Sequence, residues 1–264
     1  MSTSDYVNKI TTGNSLEVLR SMDDNSVDLT VTSPPYDNLR SYNGYSFDFE
    51  GLAQELFRVT KDGGIVVWVV GDATVKGSET LTSFKQAIYF KEVGFNVHDT
   101  MIYAKENPLP LQHNRYQPCF EYMFIFSKGK PSTFNPILIE SRNPHSGGKK
   151  RLASGELTEF NSARGKKEKY RENIWFYAVG LGGTTRDKIA YNHPAIFPEK
   201  LAEDHIVTWS NSDDIVLDIF GGSGTTAKMA ILNDRNFIHV DISEEYNEIA
   251  RERIEKALAD KASA

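Results

Sequence analysis

Two prolines separate a hydroxyl side chain from an aromatic one in the segment TSPPY, residues 32–36. The hydroxyl of Ser33 and the carbonyl of Ser33 or Pro34 can each accept a hydrogen bond from an amino group. The proline rings restrict the backbone, so these acceptors would be held in place before a ligand arrives. Tyr36 offers an aromatic face on which a planar ring can stack. Ser33, Pro34, Pro35 and Tyr36 are therefore candidate catalytic residues for chemistry at an amino nitrogen on a ring, with a plain turn as the alternative for this segment taken alone.

A glycine-rich turn lies near the other end of the chain, in the sequence DIFGGSGTT of residues 218–226. Glycine lets the backbone turn sharply and lets a ligand approach closely. The spacing fits neither the dinucleotide pattern G-x-G-x-x-G nor the phosphate-binding P-loop. Asp241 comes 23 residues after Asp218, at the end of the next expected strand, where a carboxylate can accept hydrogen bonds from ribose hydroxyls. The turn predicts a nucleoside-containing cofactor, with a plain tight turn as the alternative.

Helices and strands are expected to alternate around these two segments. The expected strands cover residues 27–31, 65–70, 97–103, 121–126, 215–219 and 237–240, and the expected helices cover residues 16–22, 49–59, 81–93, 198–209, 227–233 and the segment after Ser243. Such alternation is typical of an α/β fold with a mainly parallel sheet. Residues 132–190 have weak periodicity, so we expect an inserted region between one half of the domain, residues 1–131, and the other, residues 191–264.

The charge of the chain is uneven. Its net charge is −6, but residues 141–171 contain nine basic and three acidic side chains. A basic segment in an acidic protein is a candidate nucleic-acid contact, with a solvated loop as the alternative. The candidate DNA-binding residues are Arg142, Lys149, Lys150, Arg151, Arg164, Lys166 and Lys167.

The rest of the composition indicates an ordinary soluble protein. The apolar runs are shorter than the ~18 residues of a membrane-spanning helix, and the N-terminus shows no signal peptide. Cys119 is the single cysteine, so we expect a reducing cytoplasm. The six histidines show no zinc spacing, and we expect no metal.

Four segments together resemble one enzyme family. TSPPY resembles the [D/N/S]-P-P-[Y/F/W] signature of DNA amino-methyltransferases, and residues 218–226 resemble their D-P-F-x-G-S-G-T-T cofactor motif, with Ile219 in place of the usual proline. Residues 193–201, HPAIFPEKL, resemble their H-P-A-x-F-P-x-x-L segment, and residues 13–16 resemble their G-D-x-L element, with Asn14 in place of aspartate. The proline motif comes before the cofactor motif, an order similar to that of the β group of N4-cytosine and N6-adenine DNA methyltransferases.

The resemblance implies a single Rossmann-like methyltransferase domain with a permuted motif order, in which residues 132–190 form a target-recognition region. It implies S-adenosyl-L-methionine as cofactor and double-stranded DNA as partner, with the target base flipped out of the duplex. It also allows a homodimer and a cognate restriction endonuclease, which the residues themselves do not indicate. The implied cofactor-binding residues are Asn14, Thr32, His193, Phe197, Pro198, Leu201, Asp218, Phe220, Gly222, Ser223, Gly224, Thr225, Thr226 and Asp241.

Several alternatives stay open at this point. Ser33 before Pro-Pro favours N4 of cytosine as the methylated atom, but N6 of adenine is the alternative, because serine and aspartate are both acceptors. A DNA-binding module without catalysis, and a methyltransferase for RNA or for protein glutamine, are the rivals from other classes. Pro118-Cys119 superficially resembles the nucleophile of C5-cytosine methyltransferases, but it precedes the glycine-rich turn, whereas that family has it after the turn.

Overall fold

The computed structural model of the 264-residue chain describes residues 1–36, 47–108, 110, 114–141, 148–160 and 167–262. Contacts between Cα atoms divide the chain into two compact units. The first unit combines Met1–Asn135 with Asn173–Ala264, and the second is Pro136–Glu172. None of the helices among the described residues is long and apolar enough to cross a bilayer.

The described residues form these elements. The strands are β1 (Lys9–Thr12), β2 (Val27–Thr32), β3 (Thr60–Val70), β4 (Thr74–Val75), β5 (Ser78–Glu79), β6 (Asn96–Lys105), β7 (Phe120–Ser127), β8 (Leu138–Glu140), β9 (Gly148–Arg151), β10 (Leu157–Phe160), β11 (Glu168–Tyr170), β12 (Ile174–Tyr177), β13 (Ile215–Asp218) and β14 (Asn236–Asp241). The helices are α1 (Ser15–Ser21), α2 (Phe49–Val59), α3 (Thr82–Val93), α4 (Glu199–Trp209), α5 (Thr225–Leu232) and α6 (Glu244–Ala262). Two 3-10 helices span Thr3–Asp5 and Lys188–Asn192.

The main sheet belongs to the first unit. Eight strands of its described residues are arranged in the order β1-β14-β13-β2-β3-β7-β6-β12. Neighbours run parallel except β7, which is antiparallel to both β3 and β6. The predicted α/β fold with a mainly parallel sheet is confirmed.

Burial of β3 shows that the sheet is covered on both faces. Its residues from Ile65 to Val70 are at most 1% exposed, although their side chains point alternately to the two faces. Helices α1, α2 and α3 pack in one row, and α4, α5 and α6 pack in another. This strand therefore forms the apolar centre of a three-layer structure.

The parallel part of the sheet brings four chain segments to one edge. Strands β1, β14, β13 and β2 are consecutive neighbours, so their carboxyl ends lie side by side. Thr12 pairs with Asp241, and Asp218 pairs with His239, two residues before Asp241. In such sheets the carboxyl edge is where ligands bind.

Two strands of the main sheet were not expected from the sequence. β1 and β12 are each four residues long, too short for a periodic pattern to stand out. β12 pairs in parallel with β6, although it lies within residues 132–190. The compact second unit is consequently narrower than the expected insertion, because residues 132–135 and 173–190 belong to the first unit.

The second unit contains two small antiparallel pairs among its described residues. β8 pairs with β11, and β9 pairs with β10. In the second pair, Lys149 lies opposite Glu159 and Lys150 opposite Thr158. The three basic side chains of β9 are all exposed.

Candidate active site

A cavity of about 1010 Å³ lies at the carboxyl edge of the four parallel strands. Its wall includes a residue at or just after the end of each of them: Asn14 after β1, Ser33 after β2, Phe220 after β13, and Asp241, the last residue of β14. Small-molecule sites usually measure about 300–1,000 Å³, so this cavity is at the upper end of that range. It has room for a cofactor and a second ligand.

Eight of the candidate cofactor-binding residues line this cavity. They are Asn14, His193, Phe197, Phe220, Gly222, Ser223, Thr225 and Asp241. Asn14 also caps α1, because its side-chain oxygen accepts a hydrogen bond from the backbone N–H of Leu16 at 2.9 Å. Residues more than 200 positions apart in the chain therefore form one continuous wall.

The other six candidates lie behind the wall rather than on it: Thr32, Pro198, Leu201, Asp218, Gly224 and Thr226. The buried Thr32 hydroxyl donates to Asp218 Oδ1 at 2.7 Å, and the Phe220 N–H donates to the same oxygen at 3.1 Å. Burial raises the pKa of Asp218 to about 6, against the hydrogen bonds it accepts from Thr32, Thr226 and Phe220. Thr32 and Asp218 therefore hold the start of the glycine-rich turn in shape.

The backbone at Gly222 requires glycine. Its φ is +48°, and a Cβ atom there would lie 2.8 Å from His193 Nε2. The His193 ring is held edge-on against Tyr246, with ring centroids 4.3 Å apart, and its Nδ1 accepts the N–H of Ala195 at 3.1 Å. The space beside the turn is thus a narrow cradle that a side chain would fill.

Asp241, the candidate ribose acceptor, lines the cavity beside the glycine-rich turn. Its Oδ2 accepts the Gly222 N–H at 2.8 Å, and its Oδ1 accepts the Ser243 N–H at 2.9 Å. Burial raises the pKa of the Asp241 carboxyl, while these backbone hydrogen bonds act in the opposite direction. Each carboxylate oxygen has a second lone pair, so hydroxyl groups in the cavity can still bind here. The glycine cradle and this carboxylate together fit a nucleoside.

A buried ion network anchors the glycine-rich turn to α6. Arg253, 1% exposed, donates from Nη1 to the carbonyl of Ser223 at 2.6 Å and to the hydroxyl of Thr225 at 3.1 Å. Its Nη2 donates to Glu199 Oε1 at 2.6 Å, and its Nε to Asp187 Oδ2 at 3.3 Å. One guanidinium therefore links the turn to the start of α4.

Two lysines complete this network. Lys228 Nζ lies 2.6 Å from Asp187 Oδ2 and 2.7 Å from Glu199 Oε1, and Lys256 Nζ lies 3.0 Å from Asp187 Oδ1. Burial alone would raise the pKa of Asp187, but hydrogen bonds from the two lysines hold it well below its usual range. The pKa of Glu199 is lowered in the same way by Lys228. Both carboxylates stay charged at neutral pH.

The proline motif lines the same cavity as the turn. Ser33, Pro35 and Tyr36 are on its wall, whereas Pro34 is buried beside it. Ser33 Oγ and the Tyr36 hydroxyl are 2.9 Å apart, and the Tyr36 hydroxyl donates to Glu121 Oε2 at 2.9 Å. The candidate catalytic group is thus a connected set of hydrogen bonds next to the candidate cofactor pocket.

Several residues of this site were not singled out from the sequence, among them Lys105, Glu121, Tyr246 and Arg253. Lys105 and Glu121 line the cavity and form an ion pair of 2.7 Å at the strand ends of β6 and β7. A single acid in the otherwise apolar run FEYMFIF of β7 was a usable signal for Glu121. Arg253 gave no such signal, because it belongs to a helix with many charged residues.

The basic candidates are placed in the second unit. Lys149, Lys150 and Arg151 are exposed on β9, and Lys167 is exposed just before β11. Arg151 Nη1 donates to the carbonyl of Gly155 at 2.8 Å. Arg142, Arg164 and Lys166 lie outside the described residues.

Comparisons with known proteins agree with this geometry. The sequence model of the N6/N4 family, described as DNA methylase, matches residues 27–252. The chain belongs to this family. It is therefore an S-adenosylmethionine-dependent DNA methyltransferase of the N4/N6 amino-methyltransferase type, as the motifs predicted.

Individual relatives align with nearly the whole length of the methyltransferase. It is 59% identical over 242 residues to the orphan methyltransferase M.BamHII of Bacillus amyloliquefaciens, covering 89% of this chain and 91% of the relative. The solved PvuII DNA methyltransferase (cytosine-N4-specific) has a TM-score of 0.69 at 23% identity, covering 95% of this chain and 90% of that one. TTHA0409 of Thermus thermophilus, complexed with S-adenosyl-L-methionine, has a TM-score of 0.63 at 25% identity, covering 94% and 95%.

Proposed function

We propose that the methyltransferase transfers a methyl group from S-adenosylmethionine to the exocyclic amine of a base flipped out of duplex DNA, with N4 of cytosine favoured over N6 of adenine. One observation carries the proposal. Ser33 and Tyr36 line the same cavity as Gly222 and Asp241, at the ends of neighbouring strands. An amine held at Ser33 is thereby next to a nucleoside cofactor held at the glycine-rich turn.

The cofactor half of the cavity would bind its ligand in parts. Asp241 accepts hydrogen bonds from the ribose hydroxyls, and the Gly222 cradle lets the backbone approach the ligand closely. By the family resemblance, Asn14 contacts the adenine, and the segment that contains His193 and Phe197 covers the methionine end. These three residues and Phe220 line the cavity wall. Thr32, Asp218 and Thr226 hold the turn from behind. The bound cofactor supplies an activated sulfonium methyl group.

The base half would prepare a weak nucleophile. The lone pair of an exocyclic amine is delocalised into its ring, so hydrogen bonds that favour tetrahedral nitrogen promote attack. The attack would form the N–CH₃ bond and break the S–CH₃ bond, with the neutral thioether as leaving group, and the methylated nitrogen would lose one proton to solvent. Ser33 Oγ and the carbonyl of Ser33 or Pro34 accept the two N–H bonds, while Tyr36 stacks on the ring. The prolines hold these acceptors in place, which is how preorganised electrostatic catalysis works.

The choice of cytosine rests on Ser33. The resemblance associates serine before Pro-Pro with N4-cytosine enzymes and aspartate with N6-adenine enzymes. Adenine N6 is the alternative, because its amine offers the same two N–H donors to Ser33.

We further propose that the second unit recognises the DNA target through the exposed side chains Lys149, Lys150, Arg151 and Lys167. The homodimer and the cognate endonuclease stay predictions.

Label transfer from radioactive S-adenosylmethionine tests the reaction class. Duplex DNA, RNA and a protein mixture are each incubated with the enzyme, and label is counted on each polymer. We expect label on DNA alone, because the family is one of DNA methylases. A protein also lacks an amine on a flat base that Tyr36 can stack on. Cofactor binding without transfer to any polymer would instead support the DNA-binding module, and transfer to RNA or protein would support the other rivals.

A further inference from the structure

The Tyr36 hydroxyl links the catalytic serine to an ion pair outside the recognised motifs. It donates to Glu121 Oε2, and the other carboxylate oxygen, Oε1, lies 2.7 Å from Lys105 Nζ. Both charged side chains are largely shielded: that of Glu121 is 17% exposed and that of Lys105 is 29% exposed. Gly71 lies alongside, where a Cβ atom would be 3.4 Å from the Tyr36 ring and 3.6 Å from Glu121 Cγ. The ring and the carboxylate are thus packed as one group.

The inventory of donors and acceptors fixes the direction of this chain of hydrogen bonds. A carboxylate in an ion pair can only accept, so the single Tyr36 hydroxyl proton must point to Glu121. Tyr36 then has no proton left for Ser33, which lies 2.9 Å away. The Ser33 proton must therefore point to Tyr36. Among the described residues nothing else takes up the lone pairs of Ser33 Oγ, which face the cavity.

We propose that Glu121, paired with Lys105, is a positioning residue for methyl transfer, which orients the hydroxyls of Tyr36 and Ser33 so that Ser33 presents only lone pairs to the target amine. This inference rests on the proposed function. The orientation of the Ser33 hydroxyl makes the site prefer an amino group, whose N–H bonds point to the serine lone pairs. A ring carbonyl is disfavoured, because its own lone pairs would face those of the serine. Glu121 also fixes the Tyr36 ring on which the base stacks.

Glu121→Gln should reverse the direction of these hydrogen bonds without changing the size of the side chain. The Lys105 ammonium has donors only, so it retains the amide oxygen and turns the amide N–H₂ toward Tyr36. Tyr36 then donates to Ser33, whose proton turns toward the cavity and opposes the N–H bonds of the amine. A hydrogen bond to a charged group contributes about 1.5–3 kcal/mol. Losing the orientation that it enforces should therefore lower kcat by about 10- to 100-fold. The KM for DNA and the affinity for S-adenosylmethionine should change by less than about threefold, because a hydroxyl direction matters most in the transition state.

A double-mutant cycle separates orientation from simple structural support. Tyr36→Phe keeps the stacking ring but removes the hydroxyl that connects Glu121 with Ser33. Glu121→Gln in that background should therefore cause no further loss of kcat. Label transfer to DNA gives kcat and KM, calorimetry gives the cofactor affinity, and circular dichroism checks the fold. Glu92→Gln neutralises an exposed carboxylate on α3 and should behave as wild type. If Glu121→Gln does not fold, Glu121→Asp replaces it, because it keeps the charge beside Lys105 but moves the oxygen away from Tyr36.

Three results would overturn the inference: a kcat of Glu121→Gln within about twofold of wild type, a double variant whose loss is the product of the two single losses, or a parallel loss of cofactor affinity. Failure of the proposed function is distinguishable from these, because wild type itself would then transfer no label to DNA. That result would remove the inference together with the function on which it rests.

Discussion

Replacing Ser33 with alanine is expected to lower kcat for DNA methylation by about 10²–10³-fold, the usual effect of removing one preorganised hydrogen-bonding group from a transition state. The serine hydroxyl lies on the cavity wall, 2.9 Å from the Tyr36 hydroxyl. Without it, one N–H bond of the amine loses its acceptor when the nitrogen becomes tetrahedral. The affinity for S-adenosylmethionine, measured by calorimetry, should be unchanged, because Ser33 is not among the residues placed against the cofactor.

Tyr36→Ala should also lower the rate of DNA methylation. It removes a stacking surface worth about 1–3 kcal/mol for a base, so both DNA affinity and turnover should fall while cofactor binding is retained. Ser78→Ala, at an exposed serine of β5, is the matched control for Ser33→Ala and should have wild-type turnover. Normal turnover in both Ser33→Ala and Tyr36→Ala would mean that the base does not bind at this motif.

Arg253→Met is expected to cost about 3–5 kcal/mol in the free energy of unfolding, the usual penalty for removing one partner from a buried ion network. Arg253 is the residue that joins Ser223, Thr225, Glu199 and Asp187, and it is 1% exposed. Lys228 and Lys256 still compensate the two acids, which favours the lower end of the range. Urea denaturation monitored by circular dichroism measures the loss.

The same variant should also weaken cofactor binding, because Ser223 and Thr225 line the cavity. Arg251→Met, two residues earlier on α6, removes a half-buried surface arginine paired with Glu244 and Glu248. Surface pairs contribute about 0–1 kcal/mol, so this control should change stability little and leave cofactor affinity intact. Equal costs for Arg251→Met and Arg253→Met would show that the buried network does not stabilise the turn.

Features encoded locally were predictable from the sequence. The proline motif and the glycine-rich turn depend on residues within a few positions of each other, and the proline and glycine types alone specify a rigid turn and a positive φ. Helix α2 was expected over residues 49–59 and spans Phe49–Val59, because its apolar spacing is regular and Asp48 caps it.

Contacts that depend on strand pairing were not predictable. Tyr36 and Glu121 are 85 positions apart and meet because β7 inserts antiparallel beside β3, a pairing that no local pattern specifies. Thr32 and Asp218 are 186 positions apart and meet because β2 and β13 are neighbours. The spacing of the motifs predicts which ligand each one binds, whereas only the folded sheet shows which side chains support them.

Mass spectrometry of the methylated product tests the central claim, that the methyl group goes to an exocyclic amine of a DNA base. Unmethylated duplex DNA is incubated with the enzyme and S-adenosylmethionine, digested to nucleosides and compared with DNA incubated without cofactor. We expect N4-methylcytosine. N6-methyladenine in its place would contradict the choice of base but retain the amine, whereas 5-methylcytosine, or no methylated nucleoside at all, would contradict methylation of an exocyclic amine.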